Sequence, residues 1–192
     1  VKQYPTKDGE VTEILLKDKV YPFEIKQYYK AYQGTDIIST WIEIMNNGKK
    51  SVTLYRFVSA YLPVQRGDNW LTHFHGHWGA ENMLEEEKLT NGQKVISNKD
   101  GMVNTETDNP SFMLSIDGKP QEEYGHILGG TLAWTGNYLL KMDITNTKLN
   151  IIAGINEENS HYKLEPKETF KTPEFAMTRS EEHTSELQSQ RI

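Results

Sequence analysis

The stretch TWIEIMNNGKKSVTLYRFV, residues 40–58, decides the fold of this chain. Apolar and polar residues nearly alternate at 40–45 and again at 51–58, the period of two that places successive side chains on opposite faces of a β-strand. β-branched and aromatic residues, which strands favour, fill both runs. Between them lies Asn47-Gly48, a pair that favours the tight turn of a β-hairpin, so we predict two paired strands here.

Strand-sized runs of the same kind recur along the chain and predict an all-β fold. Turn residues such as Asn91-Gly92 and Asp117-Gly118 separate several of them. Regular short strands with such turns are typical of a large antiparallel β-sandwich, and we expect one domain of this kind with little helix. Residues 81–89, with the run Glu85-Glu86-Glu87, favour a short helix with a solvated acidic face. The strands are predicted at 11–17, 20–32, 36–46, 51–63, 69–78, 92–98, 111–117, 125–135, 138–145, 148–155, 160–165 and 169–177.

The composition excludes several classes of function. The 192 residues carry 21 Lys and Arg against 27 Asp and Glu, a net charge of −6, so we expect neither nucleic acid nor a membrane as a partner. No apolar run approaches the roughly 20 residues of a membrane span. Because the sequence has no cysteine, disulfides, thiolate metal sites and a cysteine nucleophile are all excluded.

The two ends of the sequence predict an incomplete protein. Val1 is not an initiator methionine and no signal segment follows it, so we expect the true start to be missing and the compartment stays open. Residues 179–192 begin with a run that matches the translation of a sequencing adapter, and we expect them to be a non-native, disordered tail. The expected domain is therefore residues 1–178, a partial domain cut at both ends.

Three histidines, His73, His75 and His77, occupy alternate positions of one predicted strand. Their side chains share a face of that strand and could approach one metal ion. His75, His77 and Glu81 also follow the spacing of a cupin metal site, with ligands that zinc or iron accepts. However, no later histidine has the surroundings of a second cupin segment, and neighbours on one strand splay apart. We therefore expect no metal and no cofactor, and keep a cupin-like metal-dependent enzyme as an alternative.

No catalytic pattern is evident among the remaining residues. Glycoside hydrolysis needs two carboxylic acids about 5–10 Å apart, and the acids here are scattered or clustered on predicted loops. No G-x-S-x-G elbow indicates a serine nucleophile. The sequence therefore predicts no catalytic residue.

Trp78 is the candidate binding residue. Most tryptophans of small β-domains belong to the core, but Trp78 lies between Gly76 and Gly79, beside His77, in a stretch poor in aliphatic residues. Flanking glycines let the backbone turn sharply or approach a ligand. An exposed indole offers a platform for the apolar face of a sugar ring, so the residues alone leave a sugar contact and a place in the core both open for Trp78.

Residues 10–178 resemble the N-terminal β-domain of glycoside hydrolase family 36, the α-galactosidases. Five segments in the family's order carry the resemblance, and the last of them is the clearest. They are residues 46–54 (NNGKKSVTL), 76–81 (GHWGAE), 108–112 (DNPSF), 125–138 (GHILGGTLAWTGNY) and 153–174, which begins AGIN and ends LEPKETFKTPE.

The resemblance implies a β-sandwich that supports a retaining hydrolase of terminal α-linked galactose. In the family, two aspartates on a following (β/α)8 barrel do the chemistry, and such a barrel needs about 250 residues. The resemblance therefore implies that this piece alone is inactive and holds no catalytic residue.

The resemblance also implies one substrate-binding residue and one kind of assembly. Trp78 matches the family tryptophan at the mouth of the active site, although His77 stands where the family commonly has a small residue and Ala80 where it commonly has Arg. Family members often form homotetramers through such domains. A stand-alone carbohydrate-binding or assembly module remains the alternative.

Overall fold

The computed structural model describes residues 1–101, 108–121, 125–158 and 160–180. No helix occurs in these ranges, so none is present there that could cross a membrane. In chain order the strands are β1 (Lys2–Thr6), β2 (Gly9–Lys17), β3 (Phe23–Tyr32), β4 (Ile37–Asn46), β5 (Val52–Leu54), β6 (Ala60–Val64), β7 (Trp70–His77), β8 (Ala80–Lys88), β9 (Gly92–Asn98), β10 (Asp108–Ser115), β11 (Ile127–Leu132), β12 (Tyr138–Ile144), β13 (Leu149–Ile155), β14 (Tyr162–Leu164), β15 (Thr169–Lys171) and β16 (Phe175–Ser180).

These strands form an all-β, sandwich-like fold, which confirms the predicted fold class. The large sheet has the order β1-β2-β3-β4-β16-β11-β10-β7-β8, with β15 also pairing with β4. The small sheet has the order β6-β13-β12-β9, and β14 pairs with β5 in a separate ribbon. Neighbouring strands run antiparallel in all three.

Alternation along the strands builds the core between the two sheets. In β12, Tyr138, Leu140 and Met142 are buried, and the residues between them are partly exposed. They belong to one apolar cluster with Leu71 and Leu114 of the large sheet. Burying a side chain of this size contributes about 1.5–3 kcal/mol relative to leaving it in water. The period of two therefore directs one face of each sheet into a shared core.

A second, smaller cluster lies on the first strands of the large sheet and contains Val11, Tyr28 and Trp41. The rings of Tyr28 and Trp41 stack with their centroids 4.9 Å apart. The Tyr28 hydroxyl donates to Glu43 at 3.0 Å, and burial together with this carboxylate raises the pKa of Tyr28 above its usual value. Trp41 is thus a core residue, unlike Trp78.

Residues 81–88 belong to β8, an edge strand among the described strands, and the helix predicted at 81–89 is wrong. Strand β8 pairs along its length with β7, which holds it in an extended conformation. Exposure alternates along the acidic run: Glu85 and Glu87 are half-buried, and Glu86 is exposed. The acidic run is thus not one face of a helix, because Glu85 and Glu87 share a side with buried residues of β7 and Glu86 faces the other side.

The Asn-Gly turn after β4 does not close a hairpin, and that prediction is wrong as well. Strand β4 pairs with β3, β15 and β16, whereas β5 pairs with β14. The buried side chain of Asn46 accepts a hydrogen bond from the Gly48 N–H at 2.9 Å and donates to the carbonyls of Lys50 at 2.9 Å and Leu164 at 3.2 Å. These bonds hold a turn that carries the chain away from β4, and the predicted strand 51–63 divides into β5 and β6.

The predicted tail begins inside a strand. Arg179 and Ser180 are the last residues of β16 and pair with Leu128 and Ile127 of β11. Residues 181–192 lie outside the described residues.

Asn46→Ala should lower the free energy of unfolding by about 2–4 kcal/mol, because it removes three hydrogen bonds and strands a buried carbonyl. Asn47→Ala is the matched control: the Asn47 N–H donates to the Pro22 carbonyl at 2.8 Å from the backbone, which the substitution keeps. Equilibrium urea unfolding measures both variants. Equal losses in the two would contradict the role given to Asn46.

Candidate functional site

The candidate site is the tip of the hairpin formed by β7 and β8. His77 pairs with Ala80, so only Trp78 and Gly79 form the loop between the strands. Gly79 has a φ of +78°, which a residue with a side chain adopts only with strain. The Gly after Trp78 therefore allows the shortest loop and places the indole at its outermost point.

A β-bulge lies just below this tip. The pairing of β7 with β8 shifts by one residue between His75 and His77, and Asn82 takes a φ of 55° at the shift. Gly76 faces the bulge, where a Cβ would lie 2.9 Å from both the Ala80 carbonyl oxygen and the Glu81 Cα. The two glycines that flank Trp78 in the sequence thus serve different purposes, one in the turn and one against the bulge.

Trp78 is 84% exposed, so its ring is presented to solvent almost completely. Its backbone carbonyl accepts a hydrogen bond from the Nδ1–H of His77 at 3.0 Å, which holds the peptide beneath the ring. An aromatic side chain this exposed lies outside the core, and its ring face is open to a ligand. The arrangement can stack the ring on a flat apolar face such as that of a sugar.

The structure brings together a different set of possible metal ligands from the one that the cupin-like alternative requires. Among the described residues, the ligand atoms that lie within 4.8 Å of one another are those of His73, Glu85 and Glu87. The cupin-like set of His75, His77 and Glu81 forms no such group among the described residues. Glu85 and Glu87 were not among the candidate ligands in the sequence, because only the pairing of β7 with β8 places them opposite the histidine strand.

Asp117 is an ionised carboxylate outside the hairpin. It accepts two hydrogen bonds from His126, one from the ring Nδ1–H at 2.8 Å and one from the backbone N–H at 3.2 Å. These bonds hold the pKa of Asp117 below its usual value. Its hydrogen-bonded partner is an imidazole and not a second acid. This pair therefore does not supply the two carboxyl groups that glycoside hydrolysis requires.

Comparison with known proteins gives one consistent result. Residues 2–165 match the model of the glycosyl hydrolase family 36 N-terminal domain. The chain is 26% identical to alpha-galactosidase AgaA of Geobacillus stearothermophilus over 176 residues, 91% of this chain and 24% of that protein. It is 27% identical to alpha-galactosidase Mel36A of Lactobacillus acidophilus over 181 residues, 94% of this chain and 24% of that protein.

The three-dimensional comparison agrees. The crystal structure of AgaA superimposes on this chain with a TM-score of 0.87 at 26% identity, covering 92% of this chain and 24% of AgaA. The galactosidase domain of the alpha-galactosidase-sucrose kinase AgaSK gives a TM-score of 0.86, covering 96% of this chain and 26% of that one. The chain thus spans about a quarter of the length of the relatives it matches.

Gly76→Ala should destabilise the chain more than Gly79→Ala. A Cβ at Gly76 meets fixed backbone, for which we expect a loss of about 3 kcal/mol in the free energy of unfolding. A Cβ at Gly79 meets open space, so only its φ is strained and about 1 kcal/mol is lost. Gly79→Asn should be close to neutral because Asn tolerates this conformation. Urea unfolding orders the three variants, and a harmless Gly76→Ala would refute the packing at the bulge.

Proposed function

This chain belongs to the glycosyl hydrolase family 36 N-terminal domain family, and from that membership we propose that it forms the N-terminal β-sandwich of an α-galactosidase. The substrate class is an oligosaccharide with a terminal α-linked galactose. The relatives that support this are named as alpha-galactosidases, and an AgaA variant has been crystallised in complex with raffinose.

The proposed role of this chain rests on the exposure of the Trp78 side chain. Its indole is 84% exposed at the tip of the β7–β8 hairpin, on a backbone fixed by Gly76 and Gly79. In the enzyme this ring forms an aromatic wall beside the substrate. A well-placed aromatic contact is worth about 0.5–1.5 kcal/mol beyond the area it buries, enough to orient a sugar without taking part in the reaction.

The reaction itself is assigned to groups outside this chain. A retaining glycosidase needs one carboxylate as nucleophile and one carboxylic acid as proton donor, about 5 Å apart. We assign both to the catalytic barrel that the family resemblance implies. The sandwich contributes binding energy away from the scissile bond, which fixes the galactoside relative to the two acids and excludes water. On its own, this chain is expected to hydrolyse no galactoside.

The predicted homotetramer belongs to the same proposal. In it, the β-domains form the contacts between subunits, and the hairpin tip of one subunit lies close to the active site of another. Light scattering of the full-length enzyme during size-exclusion chromatography measures the mass directly. A monomer would remove this part of the proposal, and Trp78 would then have to reach the active site of its own subunit.

Trp78→Ala in the full-length enzyme should lower kcat/KM for raffinose by about 10-fold, the equivalent of 1.4 kcal/mol of lost contact. Trp78→Phe should keep part of the activity because it keeps a ring. Tyr61→Ala is the control, since Tyr61 is an exposed aromatic on β6 in the small sheet. Steady-state kinetics give both constants.

Thermal unfolding should show that Trp78→Ala folds normally, because the exposed ring buries little surface in the domain. A kcat/KM equal to that of the unsubstituted enzyme, in a variant that is folded, would refute the substrate contact. Raffinose binding by this chain alone, measured by calorimetry with equal affinity to the full enzyme, would instead favour a stand-alone carbohydrate-binding module.

A further inference from the structure

Four ionisable side chains lie close together on one side of the β7–β8 hairpin: those of His73, His75, Glu85 and Glu87. His73 pairs in register with Glu85, and Leu71 pairs with Glu87. Residues directly opposite each other in an antiparallel pair point to the same side of the sheet. Because Leu71 and His73 are both buried, that side faces the core. The two glutamates therefore lie on the same side as the core residues of β7, next to the imidazole of His73.

His73 is the unusual member of this group. Its side chain is 3% exposed, and neither ring nitrogen has a hydrogen-bond partner. Its Nε2 lies 3.4 Å from Glu87 Oε1 and 3.7 Å from Glu85 Oε2, beyond the 2.7–3.2 Å of a good N–H···O bond. Buried polar groups almost always have a partner. A nitrogen aimed at two carboxylates without bonding to either is placed as a cation site would place it.

The two distances from His73 Nε2 to the carboxylate oxygens, 3.4 and 3.7 Å, are close to the edges of a small coordination sphere, and the three ligand atoms lie within 4.8 Å of one another. Bonds of about 2.1 Å from zinc to nitrogen and oxygen give a tetrahedron with edges of about 3.4 Å. We infer that His73, Glu85 and Glu87 bind one zinc ion, with water in the fourth position. The carboxylates are 44% and 32% exposed, so the ion has a route from solvent. An imidazole ligand favours zinc over the calcium and magnesium that all-oxygen sites select.

Two neighbouring side chains adjust this site. His75 Nδ1 lies 3.6 Å from Glu85 Oε2, so its charge, when the ring is protonated, acts on this carboxylate from outside the ligand set without a hydrogen bond. Lys94 reaches across from β9 of the small sheet and forms an ion pair with the same Glu87 oxygen that faces His73. Zinc and the Lys94 ammonium therefore compete for Glu87, and zinc binding releases this oxygen from Lys94.

The site has a structural consequence for the hairpin. Strand β8 ends the large sheet among the described strands, and β7 is its one partner there. Zinc held by both strands clamps the hairpin below the bulge, so that the tip with Trp78 is carried on a stiffer base. This inference rests on the hairpin geometry and not on the proposed α-galactosidase activity.

Zinc titration of the metal-stripped, intact chain tests the site by calorimetry and by thermal unfolding. We expect one zinc per chain, and a rise in Tm of about 5 °C or more when free zinc is about 100-fold above Kd. Glu85→Gln and Glu87→Gln should each weaken zinc binding by about 10-fold or more, as loss of a ligand requires. Glu86→Gln is the matched control, since Glu86 lies on the same strand and faces the other side.

Lys94→Met should strengthen zinc binding, the opposite of the effect of the glutamate substitutions, and it keeps all three ligands. It removes the competing ammonium, so zinc affinity should rise by at least about 3-fold, the equivalent of one surface ion pair. No zinc uptake by the intact chain would overturn the site. Equal affinity in the Glu85, Glu86 and Glu87 variants, or no gain in Lys94→Met, would overturn it too, because zinc would then be bound by exposed histidines elsewhere.

Discussion

The register of β7 between β10 and β8 is the constraint on which the functional features depend. Leu71 and Leu114 are register partners, and both are fully buried in the core between the sheets. A shift of one residue would turn every side chain of β7 to the other face and remove Leu71 from the core between the sheets. The same register turns His73 inward, and the hairpin then ends in the exposed indole of Trp78. Core packing thus determines where both polar and aromatic groups of the hairpin lie.

The fold was predictable because the period of two is a direct record of burial on one face. It is clearest where a strand has one buried side, as in β12, and it is absent in β1, whose five residues are all exposed. Strand β1 was accordingly missed. The hairpin after Asn46 was predicted from local turn preference, but Asn46 uses its side chain to bond the distant Leu164. A contact 118 residues away leaves no local signal.

The candidate site was predictable in part for a related reason. The glycines around Trp78 are local determinants of a turn, and the family resemblance adds the aromatic residue itself. For the acidic run at 85–87 the local prediction was wrong: its charge and helix preference favoured a solvated helix, and the structure has a strand. Pairing with β7 overrides that preference, because the extended backbone of β8 forms ladder hydrogen bonds with β7 along one edge of the strand. The cluster around His73 exists only through this pairing, so no motif along the chain could reveal it.

The acidic edge strand also affects how copies of the chain meet. The outer margin of a terminal strand offers unpaired backbone groups on which another β-strand can grow, and this is the usual start of fibrils. A second β8 laid against the first would bring two rows of glutamates side by side, and like charges that face each other across strands repel. The run at 85–87 therefore disfavours the addition of a second β8 at this end of the sheet.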